Sequence, residues 1–443
     1  MSVLTHSAAS FQPAARSALA DKFLHAVLYI TILSSFFVFV QPAPYEYLAV
    51  LLGFACVIAR VRFSRLILPL LVLLLIRDAG GIFGLLLIVD DGWMRISGNP
   101  SPLTGGFEYG DSIRFLATSF YLGLTAVMFA CILADDTSRR IATLRAAYVA
   151  AAVVASVLGT LGYFDLYFGF IPGLDIFSLN ERAVAGFKDP DVLGCFLIPP
   201  LTWLIQGFIT DRIRLHSLIA CLVIFIGFLL AFSRAAWGSF AISTPALMYL
   251  LYVTQRDTRT HRRIIFFVVA GAVAAVAIFM LLMSIDVVHQ MFQERGHLFE
   301  EYDISGSNRS RLQLQQDSLH EIFNHPLGMG PWGFAHATNW VSHNSFLGTF
   351  LNNGWLGGIA YSTLVVLTLM IGFRALWVRT PWQPFLIATY LPFLVLVLEG
   401  LLVDTDHWRH FYLLLGAVWG LAAATRKSMR GSLPAAAQAG TRC

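Results

Sequence analysis

The sequence is poor in charge. Only 13% of its 443 residues are Asp, Glu, Lys or Arg, and 57% are hydrophobic, whereas about 25% charged residues are usual in a soluble domain. So few charged groups cannot cover the surface of a water-soluble protein of this size. The composition therefore indicates an integral membrane protein and excludes a soluble enzyme or a protein that binds nucleic acid.

Cysteine and sequence repeats are also scarce. The five cysteines include no C-x-x-C pair, so neither a disulfide scaffold nor a thiolate metal centre is indicated. No internal repeat is visible, and the one low-complexity stretch, the Ala-rich tail 434–443, is predicted to be disordered. We therefore expect a single integral membrane domain over residues 1–443.

Long apolar runs are abundant. A membrane-spanning helix needs about 20 apolar residues, and the sequence contains twelve candidate runs. The predicted fold is therefore an all-α polytopic membrane protein with about twelve transmembrane helices. The runs lie near 23–40, 46–59, 66–89, 115–134, 146–164, 192–209, 215–232, 235–253, 264–285, 345–373, 383–402 and 409–425.

The basic residues predict how these spans are oriented. Arg and Lys favour cytoplasmic connections, and with the N-terminus inside, the short inner connections are rich in arginine, as in 60–65, 139–145 and 256–263. The outer connections are longer and hold most of the acids. This asymmetry predicts a multi-pass membrane protein with both termini in the cytoplasm.

One outer connection, 286–342, is too long for a passive loop in a compact domain. It is predicted to be a structured periplasmic loop between the ninth and tenth spans. Within it, Ser307 and Asn308 can cap a helix that ends at Pro326. The predicted apolar stripe of this helix comprises Leu312, Leu319, Ile322 and Phe323, and the helix would lie on the membrane surface or cover the spans.

Four arginines on the predicted outer face need a reason to be there, namely Arg182, Arg234, Arg309 and Arg311. Arg234 lies between two apolar runs, where a charge at the bilayer centre would cost about 3 kcal/mol. A tight turn facing a polar cavity avoids that cost, and a snorkelling arginine at a helix end is the alternative. Arg309 and Arg311 could bind an anion at a helix N-terminus or simply form a solvated basic face.

His343 lies where the long loop meets the tenth span. Imidazole titrates near neutral pH, so it could act as a general base at the membrane surface. Taken alone, a hydrogen-bonded boundary histidine is the commoner case.

The residues around His343 form a pattern of known spacing. His325-Pro-Leu-Gly-Met-Gly precedes Ser342-His343-Asn344, which is followed after nine residues by Gly354-Trp-Leu-Gly357. This order resembles the signature of the O-antigen ligase and polysaccharide polymerase superfamily. Arg234 and Arg311 stand where that family has its arginines. Residues 187–191, Phe-Lys-Asp-Pro-Asp, are similar to an element of its exopolysaccharide-polymerase-like members.

The resemblance implies an enzyme that transfers a glycan from undecaprenyl pyrophosphate to a hydroxyl group on the periplasmic side of the bacterial inner membrane. The catalytic residues would be His343, Arg234 and Arg311, and substrate would bind Arg182, Lys188, Arg309 and Asn344. No cofactor or metal is expected, because two arginines can offset the diphosphate charge. Direct displacement would invert the anomeric centre. The implied partners are the lipid-linked donor, a glycan or lipid A core acceptor, membrane lipids and a chain-length regulator protein.

Several alternatives stay open at this point. The acceptor decides between a polymerase, which Lys188-Asp-Pro favours, and an O-antigen ligase. A lipid-linked oligosaccharide flippase or transporter has a similar number of spans, although its ionisable groups would lie near the midplane. Asp404-Thr-Asp406 resembles a metal-nucleotide pattern, and Arg77-Asp78 within the third run indicates either an internal ion pair or a broken helix.

Overall fold

A computed structural model describes residues 17–40, 42–90, 109–169, 171–295, 311–338 and 340–439. The predicted all-α polytopic architecture is confirmed. The α-helices are α1 Ala18–Leu33, α2 Pro44–Ile58, α3 Leu68–Asp90, α4 Tyr109–Asp135, α5 Thr137–Phe168, α6 Pro190–Thr210, α7 Leu215–Leu230, α8 Arg234–Thr254, α9 Thr258–Met283, α10 Asp286–Arg295, α11 Arg311–Asn324, α12 Gly333–Thr338, α13 Ser345–Leu376, α14 Gln383–Glu399 and α15 Arg409–Ala439.

All twelve predicted apolar runs lie on helices. Within the described chain, eight helices are long and apolar enough to cross a membrane, and three shorter apolar helices are α2, α7 and α14. The number of crossings and the orientation therefore stay predictions. The Ala-rich tail predicted to be disordered is helical as far as Ala439, in keeping with the high helix propensity of alanine, and residues 440–443 lie outside the described part.

The helices differ in their position within the bundle. In α6, 89% of the most apolar 18-residue segment is buried, whereas in α9 only 6% of the corresponding segment is buried. Trp203 of α6 is fully enclosed and packs against Tyr148 of α5 and Phe385 of α14. A helix that is apolar all round belongs in such an interior, so α6 forms the centre of the bundle and α9 its edge.

The connections predicted to be cytoplasmic meet at one end of the bundle. Arg139 and Arg140 at the start of α5 pair with Asp21 of α1. Arg145 pairs with Asp211 after α6 at 3.3 Å, and Arg263 of α9 donates to the carbonyl oxygen of the same residue. These contacts agree with the predicted topology, in which the connections that hold these residues all lie on the same side of the membrane.

Arg77 and Asp78 form an internal ion pair within an unbroken α3. Arg77 Nη2 donates to Asp78 Oδ1 at 2.6 Å and to the carbonyl oxygen of Ser119 at 2.8 Å. The Tyr412 hydroxyl accepts a further hydrogen bond from Arg77. The ion-pair alternative is therefore confirmed and the broken helix is wrong.

Candidate active site

A two-stranded hairpin between α5 and α6 positions Arg182. Strands β1 (Ser178–Leu179) and β2 (Arg182–Ala183) pair antiparallel, and the residues between them, Asn180 and Glu181, have φ values of 49° and 57°. Two successive positive φ angles are typical of a type I′ turn. This short connection holds Arg182 at the end of the bundle opposite the Asp21 ion pairs.

The Arg182 side chain is buried and links two helix junctions. Its Nε donates to the carbonyl oxygen of Ala231 at 2.9 Å, and its Nη2 donates to Asp191 Oδ1 at 2.6 Å. Ala231 follows α7, and Asp191 lies in the first turn of α6. Arg182 therefore fixes the α7–α8 turn against the start of α6.

The first turn of α6 contains the Phe-Lys-Asp-Pro-Asp element. Asp189 caps the helix by accepting from the Asp191 N–H at 2.7 Å, Pro190 occupies the first position, and Lys188 is exposed. Desolvation and the negative charge of Asp191 raise the pKa of Asp189, while the charges of Arg182 and Arg311 oppose the rise. Arg311 therefore lies within electrostatic reach of the α6 N-terminus.

Arg234 begins α8 directly after a tight turn. Phe232 has a φ of 46°, and the buried Ser233 caps α8 by accepting from the Ala236 N–H at 3.3 Å. The predicted turn at this junction is thus present. A cation at a helix N-terminus faces the positive end of the helix dipole, which typically costs about 0.3–1 kcal/mol. An anion bound between Arg234 and the helix end would remove this cost.

Arg311 lies within electrostatic reach of His343. Arg311 Nη1 donates to the carbonyl oxygen of Leu402 at 3.1 Å, and Gln315 Nε2 donates to that of Leu401 at 3.0 Å. These bonds fasten α11 to the turn after α14. Burial lowers the pKa of His343 to about 4, and the positive charge of Arg311 contributes to the shift. The imidazole is therefore neutral at pH 7.

Asn344 stabilises the start of α13. Its Oδ1 accepts from the N–H groups of Phe346 and Leu347 at 3.0 and 3.1 Å, and its Nδ2 donates to Leu401 O at 3.1 Å. The residue is buried. The amide of Asn344 is engaged within the protein, because a helix N-terminus needs acceptors for its free N–H groups. Its predicted role in substrate binding stays a prediction.

Asp404 is the residue that sequence reasoning missed. Its carboxylate accepts from the Asn344 N–H and lies beside the Ser342 side chain, on either side of His343. The Ser342 hydroxyl itself donates to the Asn344 carbonyl oxygen at 3.2 Å. Desolvation, with the charge of Asp406, raises the pKa of Asp404 to about 7. The D-x-D pattern drew attention to this carboxylate, but only as a metal ligand. Its contact with the His343 turn depends on how α13 and α15 pack, which no local pattern shows.

The second aspartate of the D-x-D pattern pairs with a histidine. Asp406 Oδ2 lies 3.2 Å from His407 Nδ1. Among the residues that the structure describes, no group of three or more His, Cys, Asp or Glu side chains is arranged to hold a metal ion.

The glycines of the signature pack the long loop against α13. Gly354 has a φ of 63° and kinks the helix, and a Cβ at this position would lie 2.5 Å from the carbonyl carbon of Leu327. The Met329 N–H donates to Leu351 O at 2.7 Å, and the Trp355 N–H donates to Pro326 O at 2.9 Å. The kink exposes backbone groups that bind the loop, which in turn holds α11 near His343.

The structure thus brings together Arg311, His343 and Asp404. It joins Arg234 to this group indirectly, through Arg182 and the α6 N-terminus. Arg309 and the predicted cap residues Ser307 and Asn308 lie outside the described residues.

Comparison with known proteins agrees with the sequence resemblance. Residues 219–362 match the family model described as O-antigen ligase. The matched region contains Arg234, Arg311 and the residues from His343 to Gly357, whereas Arg182 and Asp404 lie outside it. None of the curated proteins matches the chain.

Proposed function

From the premise that this chain contains the O-antigen ligase family domain, we propose that it transfers a glycan from a polyprenyl diphosphate to a hydroxyl acceptor. The family match supports a membrane glycan transferase of the ligase or polymerase type. The donor, the metal-independent course and the residue roles are parts of the proposal. The observation that supports it best is that Arg311 and Asn344, the residue after His343, donate to the neighbouring carbonyl oxygens of Leu402 and Leu401. The same turn thus holds the His343 imidazole within electrostatic reach of the Arg311 guanidinium.

The proposed step needs one proton acceptor and one site for a leaving anion. The acceptor oxygen attacks the anomeric carbon while its proton passes to His343. The bond from that carbon to the diphosphate oxygen breaks, and the diphosphate leaves with the electron pair. Attack from the opposite side inverts the anomeric centre.

Arg311 and Arg234 would bind the diphosphate. Charge builds on this group as the sugar bond breaks, so fixed guanidinium groups stabilise the transition state more than the ground state. Arg182 acts here as a positioning residue, since its guanidinium is engaged with Asp191 and Ala231. Lys188 and Arg309 stay candidates for contacts with the glycan or its carrier.

Donor binding would also strengthen the base. Part of the low pKa of His343 comes from the charge of Arg311. A bound diphosphate offsets that charge, so the pKa of His343 rises towards its ordinary value. A stronger base then forms only when the leaving group is in place.

The direct test measures glycan transfer in membranes supplied with lipid-linked repeat units. His343→Ala and Arg234→Ala should each lower the rate by about 100-fold or more, as expected for loss of a general base or an anion-binding group. His320→Ala and Arg114→Ala are matched controls on exposed residues and should retain activity. Product formation at the wild-type rate by either site variant would remove the assigned role.

The metal-independent course has its own test. Treatment with a chelator should leave the transfer rate nearly unchanged. A large loss that magnesium restores would show that a divalent cation takes part.

The identity of the acceptor can be tested by gel analysis of the surface glycans of a strain that lacks this protein. We favour a polymerase because of Lys188-Asp-Pro. Loss of long chains, with single repeats still attached to the lipid core, supports a polymerase. Loss of all attachment instead identifies a ligase acting on the lipid A core.

A further inference from the structure

Helix α11 has two apolar faces, and the part of the chain that the structure describes covers only one of them. Leu314, Ser318 and Ile322 recur at intervals of four and are buried, and the carbonyl oxygen of Ile322 accepts from Trp355 Nε1 of α13 at 3.0 Å. Of the stripe predicted from sequence, Ile322 alone belongs to this face. Leu312, Leu319 and Phe323 form the second face.

The second face is exposed along its whole length. Leu312, Leu319 and Phe323 are 65%, 49% and 64% exposed. Their spacing of seven and four residues places them in one line along the helix. Leu327, just after α11, is exposed as well. A solvated loop would not keep such a stripe, so this face needs a covering surface.

The stripe continues onto the lipid-facing surface of α13. The Phe323 and Trp355 rings are in edge contact, with centroids 5.7 Å apart. Trp355, Leu356 and Ile359 are exposed on a helix that is long and apolar enough to cross a membrane. Exposed apolar side chains on such a helix face acyl chains. Tryptophan at the boundary between the two surfaces is typical of a membrane interface.

We propose that α11 lies in the membrane interface, with Leu312, Leu319 and Phe323 among the acyl chains of the leaflet nearest the site. The continuity with α13 identifies lipid as the occupant of the exposed face. This position sets Arg311, the residue before Leu312, at the level of the lipid phosphates. If the proposed function holds, the helix restricts the site to diphosphates that are anchored in the membrane.

Spin labels can measure this immersion in the full chain. Leu319→Cys and Phe323→Cys are labelled with a nitroxide in a background where Cys56, Cys221 and Cys443 are replaced by Ala, and reconstituted into phosphatidylethanolamine and phosphatidylglycerol vesicles. His320→Cys and Asn324→Cys, which are exposed on the polar side of the same helix, serve as matched controls. Collisions with oxygen report lipid, and collisions with a water-soluble nickel chelate report water.

The expected result is that the Leu319 and Phe323 labels favour oxygen and exclude nickel, while both control labels favour nickel. Nickel access equal to that of the controls would overturn the proposal, since the stripe would then be in water. Shielding from both reagents would also overturn it, because protein would then cover the stripe. The measurement needs no turnover, so its outcome is independent of whether the proposed reaction is correct.

A second measurement examines the link to the donor. Replacing Leu319 and Phe323 together by Asp should lower transfer from a long polyprenyl diphosphate donor at least 10-fold. Transfer from a short, water-soluble prenyl diphosphate donor should change little. An equal loss with both donors, or no loss with the long one, would contradict the restriction to membrane-anchored substrates.

Discussion

At the scale of single residues, the site contains backbone conformations that residues other than glycine rarely adopt. In the described chain, seven residues other than glycine have positive φ, and all but Arg60 lie at the end of the bundle that holds His343. His343 itself has a φ of 49°. Such conformations persist only where the surrounding contacts enforce them, and they are concentrated at functional sites. Here the contacts of Asp404 on either side of His343 supply that support.

The Arg311–His343 pair predicts an unusual pH profile. Transfer requires neutral imidazole, so activity should fall as the pH drops through the pKa of His343, which is about 4 in the free protein. The acid limb of kcat/KM should therefore lie near pH 4, and that of kcat should lie higher because bound diphosphate offsets Arg311. Arg311→Gln should move the acid limb of kcat/KM to higher pH, because the charge that lowers the pKa of His343 is removed. Identical limbs in wild type and Arg311→Gln would show that the two side chains do not interact.

The role of Asp404 can be separated from general damage to the fold. Asp404→Ala removes the acceptor for the Asn344 N–H beside His343, and should lower kcat about 10-fold or more while KM for the donor changes little. Asp404→Asn keeps an acceptor oxygen and should restore most of the rate. If Asp404→Asn and Asp404→Ala reduce kcat equally, the carboxylate acts through its charge and not by holding the His343 turn.

At the scale of elements, the site depends on three irregular connections. The hairpin holds Arg182, the loop before α13 holds α11, and the turn after α14 provides Asp404 together with carbonyl oxygens that bind Arg311 and Asn344. The kink at Gly354 matters most, because it opens the backbone of α13 to the loop. Gly354 is therefore a packing residue that holds the loop against α13.

Gly354→Ala should destabilise the protein. The φ of 63° and ψ of −171° belong to a region that glycine almost alone occupies, so alanine adds about 1–3 kcal/mol of strain as well as a steric clash. Gly271→Ala is the control, because a Cβ at that helical position meets open space. It should be neutral or stabilising by up to about 1 kcal/mol. Thermal unfolding in detergent measures both, and equal midpoints would contradict the structural role of the kink.

At the scale of the whole molecule, polar groups separate into two ends and a few internal links. Arg139, Arg140, Arg145 and Arg263 make their contacts at one end, and the candidate active site occupies the other. The internal link from Arg77 to Asp78 and Tyr412 ties α3 to α15, and the Tyr412 hydroxyl donates to Asp406 O at 2.8 Å. The turn that bears Asp404 is thus anchored inside the bundle.

Asp78→Ala should be strongly destabilising. The Arg77–Asp78 pair is buried, with side-chain exposures of 4% and 9%, and removing one partner of a buried pair costs about 3–5 kcal/mol because the other charge is left uncompensated. Asp111→Ala breaks an exposed pair with Arg114 and should cost at most about 1 kcal/mol. Unfolding in mixed detergent micelles compares the two. A similar small effect for both would mean that Arg77 finds another partner.

Much of the molecule follows from short-range features of the sequence. Apolar length placed all twelve predicted runs on helices, since a run of that length can satisfy its backbone in lipid only as a helix. Basic residues are scarce on the predicted outer face, so Arg234 and Arg311 stood out there. The spacing of the residues around His343 identified the part of the chain that resembles the family. These features depend on neighbours in the chain, which the sequence alone contains.

Packing between distant segments decided the rest. The sequence by itself determined a helical membrane protein and identified His343 and Arg311 as candidates. Only the tertiary structure shows that Asp404 lies against the His343 turn and that Asn344 caps α13. It also shows that Ile322 of the predicted α11 stripe is buried, whereas Leu312, Leu319 and Phe323 are exposed. Each of these depends on which helices meet, and that is fixed by the sum of many weak contacts between residues far apart in the chain.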